Sequence, residues 1–159
     1  MQRYEADVLK LGERLRARGA MLATAESCTG GLIAAVCTSV AGSSDWFERG
    51  FVTYSNAAKT EMLGVDAALI AAHGAVSPEV ACAMAEGALL HSSARVAIAV
   101  TGIAGPSGGT PAKPVGMVWF ALAQRGVAAQ AELLQLGGDR TAVREQTLVH
   151  ALRRLLALP

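Results

Sequence analysis

A chain of 159 residues and 16.3 kDa has the size of one domain, and 52% hydrophobic against 17% charged residues excludes a disordered chain. Lys and Arg number 14 and Asp and Glu 13, so a formal charge of +1 leaves no general basic excess for a nucleic-acid backbone. No apolar run reaches the roughly 18 residues of a membrane span, and Cys28, Cys37 and Cys82 lack the C-x-x-C spacing of a zinc site or redox pair. The acidic, amphipathic N-terminus is neither a signal nor a transit peptide. A reducing cytoplasm is therefore the default location, with no metal or cofactor expected and no nucleic-acid or membrane partner.

In chain order, Val8, Leu11 and Leu15 recur at helical spacing before Gly19, which predicts a helix over Gln2–Arg18. Met21–Glu26 reads as a buried strand. SCTGG follows, and then LIAAVCTSV, an apolar helix broken by AGSSDW. Phe47–Ser55 has strand character. Asn56–Leu63 reads as a short helix stopped by Gly64, and Asp66 caps another to Ala72. Ser77 and Pro78 mark a helix start, with the helix running to about Leu90. Val96–Thr101 is the strongest strand pattern. GIAGPSGGTPAKP is a Gly/Pro loop. Val115–Ala123 and Ala129–Leu136 form a hairpin, and Asp139 opens a last helix towards Leu158. This order predicts a single domain over residues 1–159, a three-layer α/β/α sandwich on a mixed sheet. Residues 1–19 stand apart from the strand order and could form a helical arm across a homodimer.

Four groups of residues could carry chemistry. Ser27 ends a buried strand ahead of Gly30, Gly31 and a helix, a setting that aims a hydroxyl and backbone N–H groups at one point. It serves as a nucleophile or, with Thr29, as a helix cap. His73, His91 and His150 have no acidic partner in sequence that would make a Ser–His–Asp triad. Lys59 follows the next strand, with Tyr54 before it. It is a general base if desolvation lowers its pKa, or else a solvated side chain. Cys28 is a rival nucleophile or a buried small side chain. Arg140 and Arg144, four apart on one helix face, suit a phosphate or pair with Asp139 and Glu145. TGIAGPSGG, with Thr101, Gly102 and Gly105, lets backbone approach a ligand or simply turns the chain.

Six segments carry a resemblance: TAESCTGG (Thr24–Gly31), AGSSDWFERGFVTYSNAAK (Ala41–Lys59), HGAVSPEVA (His73–Ala81), TGIAGPSGG (Thr101–Gly109), KPVGMVWFA (Lys113–Ala121) and GDRTAVR (Gly138–Arg144). In order and spacing they resemble the CinA C-terminal domain family, over nearly the whole chain. Longer members carry a molybdopterin-binding-like domain in front, and this chain resembles the stand-alone form. The resemblance implies a soluble bacterial α/β amidohydrolase. It implies hydrolysis of the carboxamide of nicotinamide mononucleotide (NMN) to nicotinate mononucleotide and ammonia. It also implies a serine–lysine pair, Ser27 and Lys59, with Tyr54 matching the tyrosine of the same motif. Around that pair, the backbone of Cys28, Thr29, Gly30 and Gly31 is expected to hold the oxyanion. Thr101, Gly102 and Gly105 are expected to line the nicotinamide or ribose, and Arg140 and Arg144 to hold the 5′-phosphate. The alternatives are a non-catalytic module that binds a pyridine nucleotide, and a regulatory protein connected with competence or DNA damage.

Overall fold

The computed structural model describes residues 1–159. The helices are α1 (Glu5–Ala17), α2 (Leu32–Cys37), α3 (Asn56–Leu63), α4 (Ala67–His73), α5 (Pro78–Leu90) and α6 (Arg140–Leu156). The strands are β1 (Leu22–Glu26), β2 (Phe47–Val52), β3 (Val96–Gly102), β4 (Met117–Gln124) and β5 (Val127–Gln135). Short 3₁₀ turns at Gln2–Tyr4 and Ser43–Asp45 complete the set. None of the helices is long and apolar enough to cross a membrane.

Local chemistry fixes most of the boundaries. The side chains of Ser55, Asp66, Ser77 and Asp139 each accept a backbone N–H in the first turn of α3, α4, α5 and α6. Gly64 stops α3 at φ 68°, a left-handed conformation that suits glycine. Several boundaries differ from the sequence reading: β2 stops at Val52, short of Ser55, which caps α3 instead, and β4 starts at Met117 rather than Val115. α2 ends at Cys37 because the hydroxyls of Thr38 and Ser39 turn back onto Ala34 and Val36 carbonyls. β5 starts at Val127, because Arg125–Gly126 makes a tight turn with Gly126 at φ 81° and lets pairing begin at once.

The sheet order is β2-β1-β3-β4-β5, with β1 parallel to both β2 and β3, and β4 and β5 antiparallel. The step from β1 to β2 and the step from β2 to β3 cross the sheet in opposite directions. Right-handed crossovers then require their helices to lie on opposite faces. They do: α2 packs in one apolar cluster, and α3, α4 and α5 pack in the other.

The two faces differ in side-chain size. One carries Leu22, Val96, Ile98, Val100, Val118 and Phe120 against α1, α2 and α6. The other is alanine: Ala23 pairs Ala97, which pairs Ala123, and Ala25 pairs Ala99, which pairs Ala121. Ala81, Ala85 and Ala88 of α5 meet that face, so helix and sheet approach closely. Strand alternation then fixes directions at the end of β1. Glu26 continues the Leu22–Thr24 row towards α2, while Ser27 continues the Ala23–Ala25 row towards α3.

Residues 1–19 do not leave the domain. Val8, Leu11 and Leu15 are buried beside Leu148, Leu152 and Leu155 of α6, and the Arg14 guanidinium donates to the Leu156 carbonyl. The reason is the amphipathic stripe itself, whose apolar face α6 covers within the same chain.

α3 is held at its end by a close backbone approach. A Cβ on Gly87 of α5 would lie 2.1 Å from the Leu63 carbonyl oxygen. Gly87→Ala is expected to lower stability by about 1–3 kcal/mol in urea denaturation, although alanine is the better helix former by about 1 kcal/mol. Gly137→Ala, where a Cβ would meet nothing within 4 Å, is expected to change little.

Candidate active site

The site lies beyond the C-terminal ends of the parallel strands β1, β2 and β3, beside the point where the crossovers from β1 and β2 leave the sheet in opposite directions and ligands commonly bind. Ser27 is anchored there through its backbone: its N–H donates to the Val100 carbonyl of β3. The flanking residue Thr53, just past β2, donates to the Glu26 carbonyl. A pocket of about 210 Å³ opens between them, lined by Ser27, Cys28, Tyr54, Lys59, Thr101 and Arg140 among others.

Lys59 reaches this pocket from the first turn of α3. Its side chain is 1% exposed, and Nζ lies 3.1 Å from Ser27 Oγ. Nζ also donates to the carbonyls of Thr53 at 2.9 Å, Tyr54 at 3.3 Å and, at the longest distance, Ser55 at 3.5 Å. A neutral amine has two N–H bonds and one lone pair. In that form the two nearer carbonyls take the N–H bonds, and the lone pair is available to the serine hydroxyl. No carboxylate forms a salt bridge with Lys59, and burial holds its pKa below the ordinary 10.5. Desolvation is the cause; only the Cys28 thiol works the other way. The Cys28 thiol is itself pushed up to about 12, chiefly by burial, which makes it a poor nucleophile.

The turn after Ser27 sorts its N–H groups. Gly30 N–H donates to the Ser27 carbonyl and Gly31 N–H to a Glu26 carboxylate oxygen. Cys28 and Thr29 N–H donate to no other backbone or side chain. Of the donors expected over Cys28–Gly31, those of Cys28 and Thr29 are the two left uncommitted.

The other expected residues divide. Thr101 is buried in the pocket wall, its hydroxyl donating to the Ala75 carbonyl. Gly102 lines the pocket, but a Cβ there would lie 2.6 Å from Val118, so β4 packing also demands glycine. Gly105, at φ 83°, accepts a hydrogen bond from Arg140 Nη1 at 2.9 Å. Arg140 Nη2 donates to the Tyr54 hydroxyl at 3.0 Å. The Tyr54 phenol thus meets Arg140 at the mouth, and only its backbone carbonyl meets Lys59. The chain alternates there: Thr53 turns inward and Tyr54 outward.

Arg140 lines the pocket and Arg144 does not; of α6 only Arg140, in the first turn, reaches it. Arg144, a full turn further on, donates instead to the Thr29 carbonyl at 3.0 Å. The histidines are elsewhere: His73 faces Glu79, His91 the Gly87 carbonyl and His150 Glu132. Sequence reasoning gave Glu26 no role. It is 1% exposed, and its carboxylate accepts from Thr29 Oγ1 and from the N–H groups of Gly31, Ile33 and Ala34. An acidic residue three places before a Thr-Gly-Gly turn was the available signal.

A family model described as the CinA C-terminal domain matches residues 5–158, and the chain belongs to that family. Nicotinamide-nucleotide amidohydrolase PncC of Pseudomonas putida is 56% identical over 94% of this chain and 92% of its own length. A Symbiobacterium thermophilum protein named for competence and damage induction is 59% identical over 89% of this chain, which spans only 35% of that relative. The crystal structure of the competence/damage inducible protein CihA from Agrobacterium tumefaciens superposes with a TM-score of 0.88 at 47% identity, covering 95% of this chain and 94% of the other.

The buried amine has a consequence for stability. Between its lowered folded pKa and the ordinary 10.5, the unfolded chain binds more protons at Lys59, so stability from this residue rises with pH in that window. In chemical denaturation, the wild type is expected to gain on Lys59→Met as pH is raised from about 7 to about 10. A constant difference between them would mean an unshifted amine.

Proposed function

We propose that this chain hydrolyses the carboxamide of nicotinamide mononucleotide to nicotinate mononucleotide and ammonia, with Ser27 as nucleophile and Lys59 as general base. The observation that carries the proposal is the 3.1 Å contact between Lys59 Nζ and Ser27 Oγ in a buried pocket. The likeness to the P. putida amidohydrolase supports the choice of substrate.

In the first step Ser27 Oγ bonds to the carboxamide carbon and its proton passes to Lys59 Nζ. Charge collects on the carbonyl oxygen, where the N–H groups of Cys28 and Thr29 receive it. One such donor is worth about 3 kcal/mol. The C–N bond then breaks, and Lys59 returns the proton to the leaving nitrogen, which departs as ammonia. Water adds to the acyl-serine and gives a proton to Lys59. The Ser27–carbon bond breaks, Ser27 recovers its proton, and nicotinate mononucleotide leaves. The cationic pyridinium ring withdraws electrons from the carboxamide and keeps a neighbouring amine unprotonated.

Arg140 holds the 5′-phosphate. Two of its N–H groups are engaged by Gly105 and Tyr54, which orient it over the mouth, and the rest are free for an anion. Thr101 and Gly102 form the wall for the nicotinamide and ribose, and Gly105, outside the pocket lining, buttresses Arg140.

Ser27→Ala is expected to lower ammonia release from NMN by about 10³-fold or more while calorimetry still detects NMN binding. Retained turnover would remove Ser27 as nucleophile. Arg140→Met is expected to raise KM for NMN about tenfold or more and to alter nicotinamide riboside far less. Equal effects on both would count against phosphate recognition.

A further inference from the structure

Two charged side chains near Ser27, Glu26 and Arg144, take no part in the proposed reaction yet both bond to the turn that follows it. Glu26 places a carboxylate, almost fully buried, one residue before the nucleophile. Its Oε2 accepts Thr29 Oγ1 at 2.6 Å, Gly31 N–H at 3.2 Å and Ile33 N–H at 3.0 Å, and its Oε1 accepts Ala34 N–H at 2.8 Å. From the other side, Arg144 donates to the Thr29 carbonyl at 3.0 Å. Thr29 is thus held by its hydroxyl and its carbonyl together. The turn between contains Gly30 at φ 57° and Gly31 at φ 95°, both left-handed and freely flexible if released.

We infer that Glu26 and Arg144 are positioning residues that clamp the Ser27–Gly31 turn, so that Cys28 and Thr29 N–H stay uncommitted beside Ser27 Oγ. The inference rests on Ser27 being the nucleophile proposed above. Three features favour positioning over plain helix capping. A short capping side chain such as Ser or Asp at the turn would satisfy one or two of these donors, whereas Glu26 collects four from the sheet side without occupying the cleft. By alternation its charge lies on the α2 face, opposite the Lys59 amine, and four donors neutralise it there. Lys59 therefore has an acid one residue from its partner and still forms no salt bridge. Finally, Arg144 comes from α6, which also supplies Arg140, so one helix sets both the turn and the mouth.

The turn can be probed without an amide substrate. A small fluorophosphonate phosphorylates serine nucleophiles: Ser27 Oγ bonds to phosphorus, fluoride leaves, the serine proton goes to Lys59, and the P–O oxygen occupies the oxyanion position. Labelling rates at Ser27 are measured by mass spectrometry for the wild type, Arg144→Met, Arg144→Lys, Glu26→Gln and the solvent-facing control Arg153→Met. Hydrogen exchange of the segment 26–34 is followed in the same samples. Arg144→Met and Glu26→Gln are expected to slow labelling about tenfold or more and to speed exchange in that segment, with cooperative unfolding retained. Arg144→Lys, which keeps a donor for the Thr29 carbonyl, is expected to regain part of the rate. Wild-type labelling rates in Arg144→Met overturn the inference, even should Glu26→Gln fail to fold. Ammonia release from NMN by the wild type, assayed in parallel, tests the proposed function separately.

Discussion

An amine buried without an acid is the constraint on which the site depends. An isolated ammonium in a desolvated pocket is costly, and proteins relieve that cost by pairing the charge or losing it. At Lys59 no pairing is present. Three carbonyls and a hydroxyl face the nitrogen with no carboxylate among them, and desolvation favours the neutral form. A neutral lysine is a base, and a base against a serine hydroxyl is half of an acyl-transfer centre. The same burial that lowers the pKa excludes water from the contact.

The fold supplies this arrangement through direction and spacing. β1 sits between two parallel neighbours, so its end is enclosed on both sides. Alternation sends Glu26 and Ser27 to opposite faces, which separates the carboxylate from the amine although the two residues are adjacent in sequence. The alanine face lets α5 lie close to the sheet, and Gly87 lets the end of α3 lie close to α5. α3 is fixed in turn by its Ser55 cap and its Gly64 stop, one at each side of Lys59. Small residues far from the chemistry thereby set the 3.1 Å contact.

Much of this was legible in the sequence because it was written in local signals. Ser77-Pro78, Asp66 and Gly64 mark helix ends by chemistry that acts within four residues. The position of Ser27, at the end of an apolar strand and before paired glycines, is equally local. Lys59 was readable as a candidate, yet its choice between solvent and pocket depended on α3 folding back against β1, which spacing does not state. The arginines divide for the same reason: a spacing of four states a shared helix face but not its partners, which are Gly105 and Tyr54 for Arg140 and Thr29 for Arg144. Glu26 looked like the end of a strand because its partners, the N–H groups of Gly31, Ile33 and Ala34, are backbone and carry no sequence signature. The first helix looked detachable because its partner surface lies more than a hundred residues away, on α6.

The lysines of this chain are Lys10, Lys59 and Lys113, which makes the central claim open to direct observation. The side-chain nitrogens can be followed by NMR through a pH titration of the labelled protein. The account predicts that Lys59 Nζ loses its proton below the ordinary 10.5, as its buried, acid-free surroundings require. A Lys59 resonance that titrates at or above that ordinary value would mean a charged amine beside Ser27, and the serine would have no base.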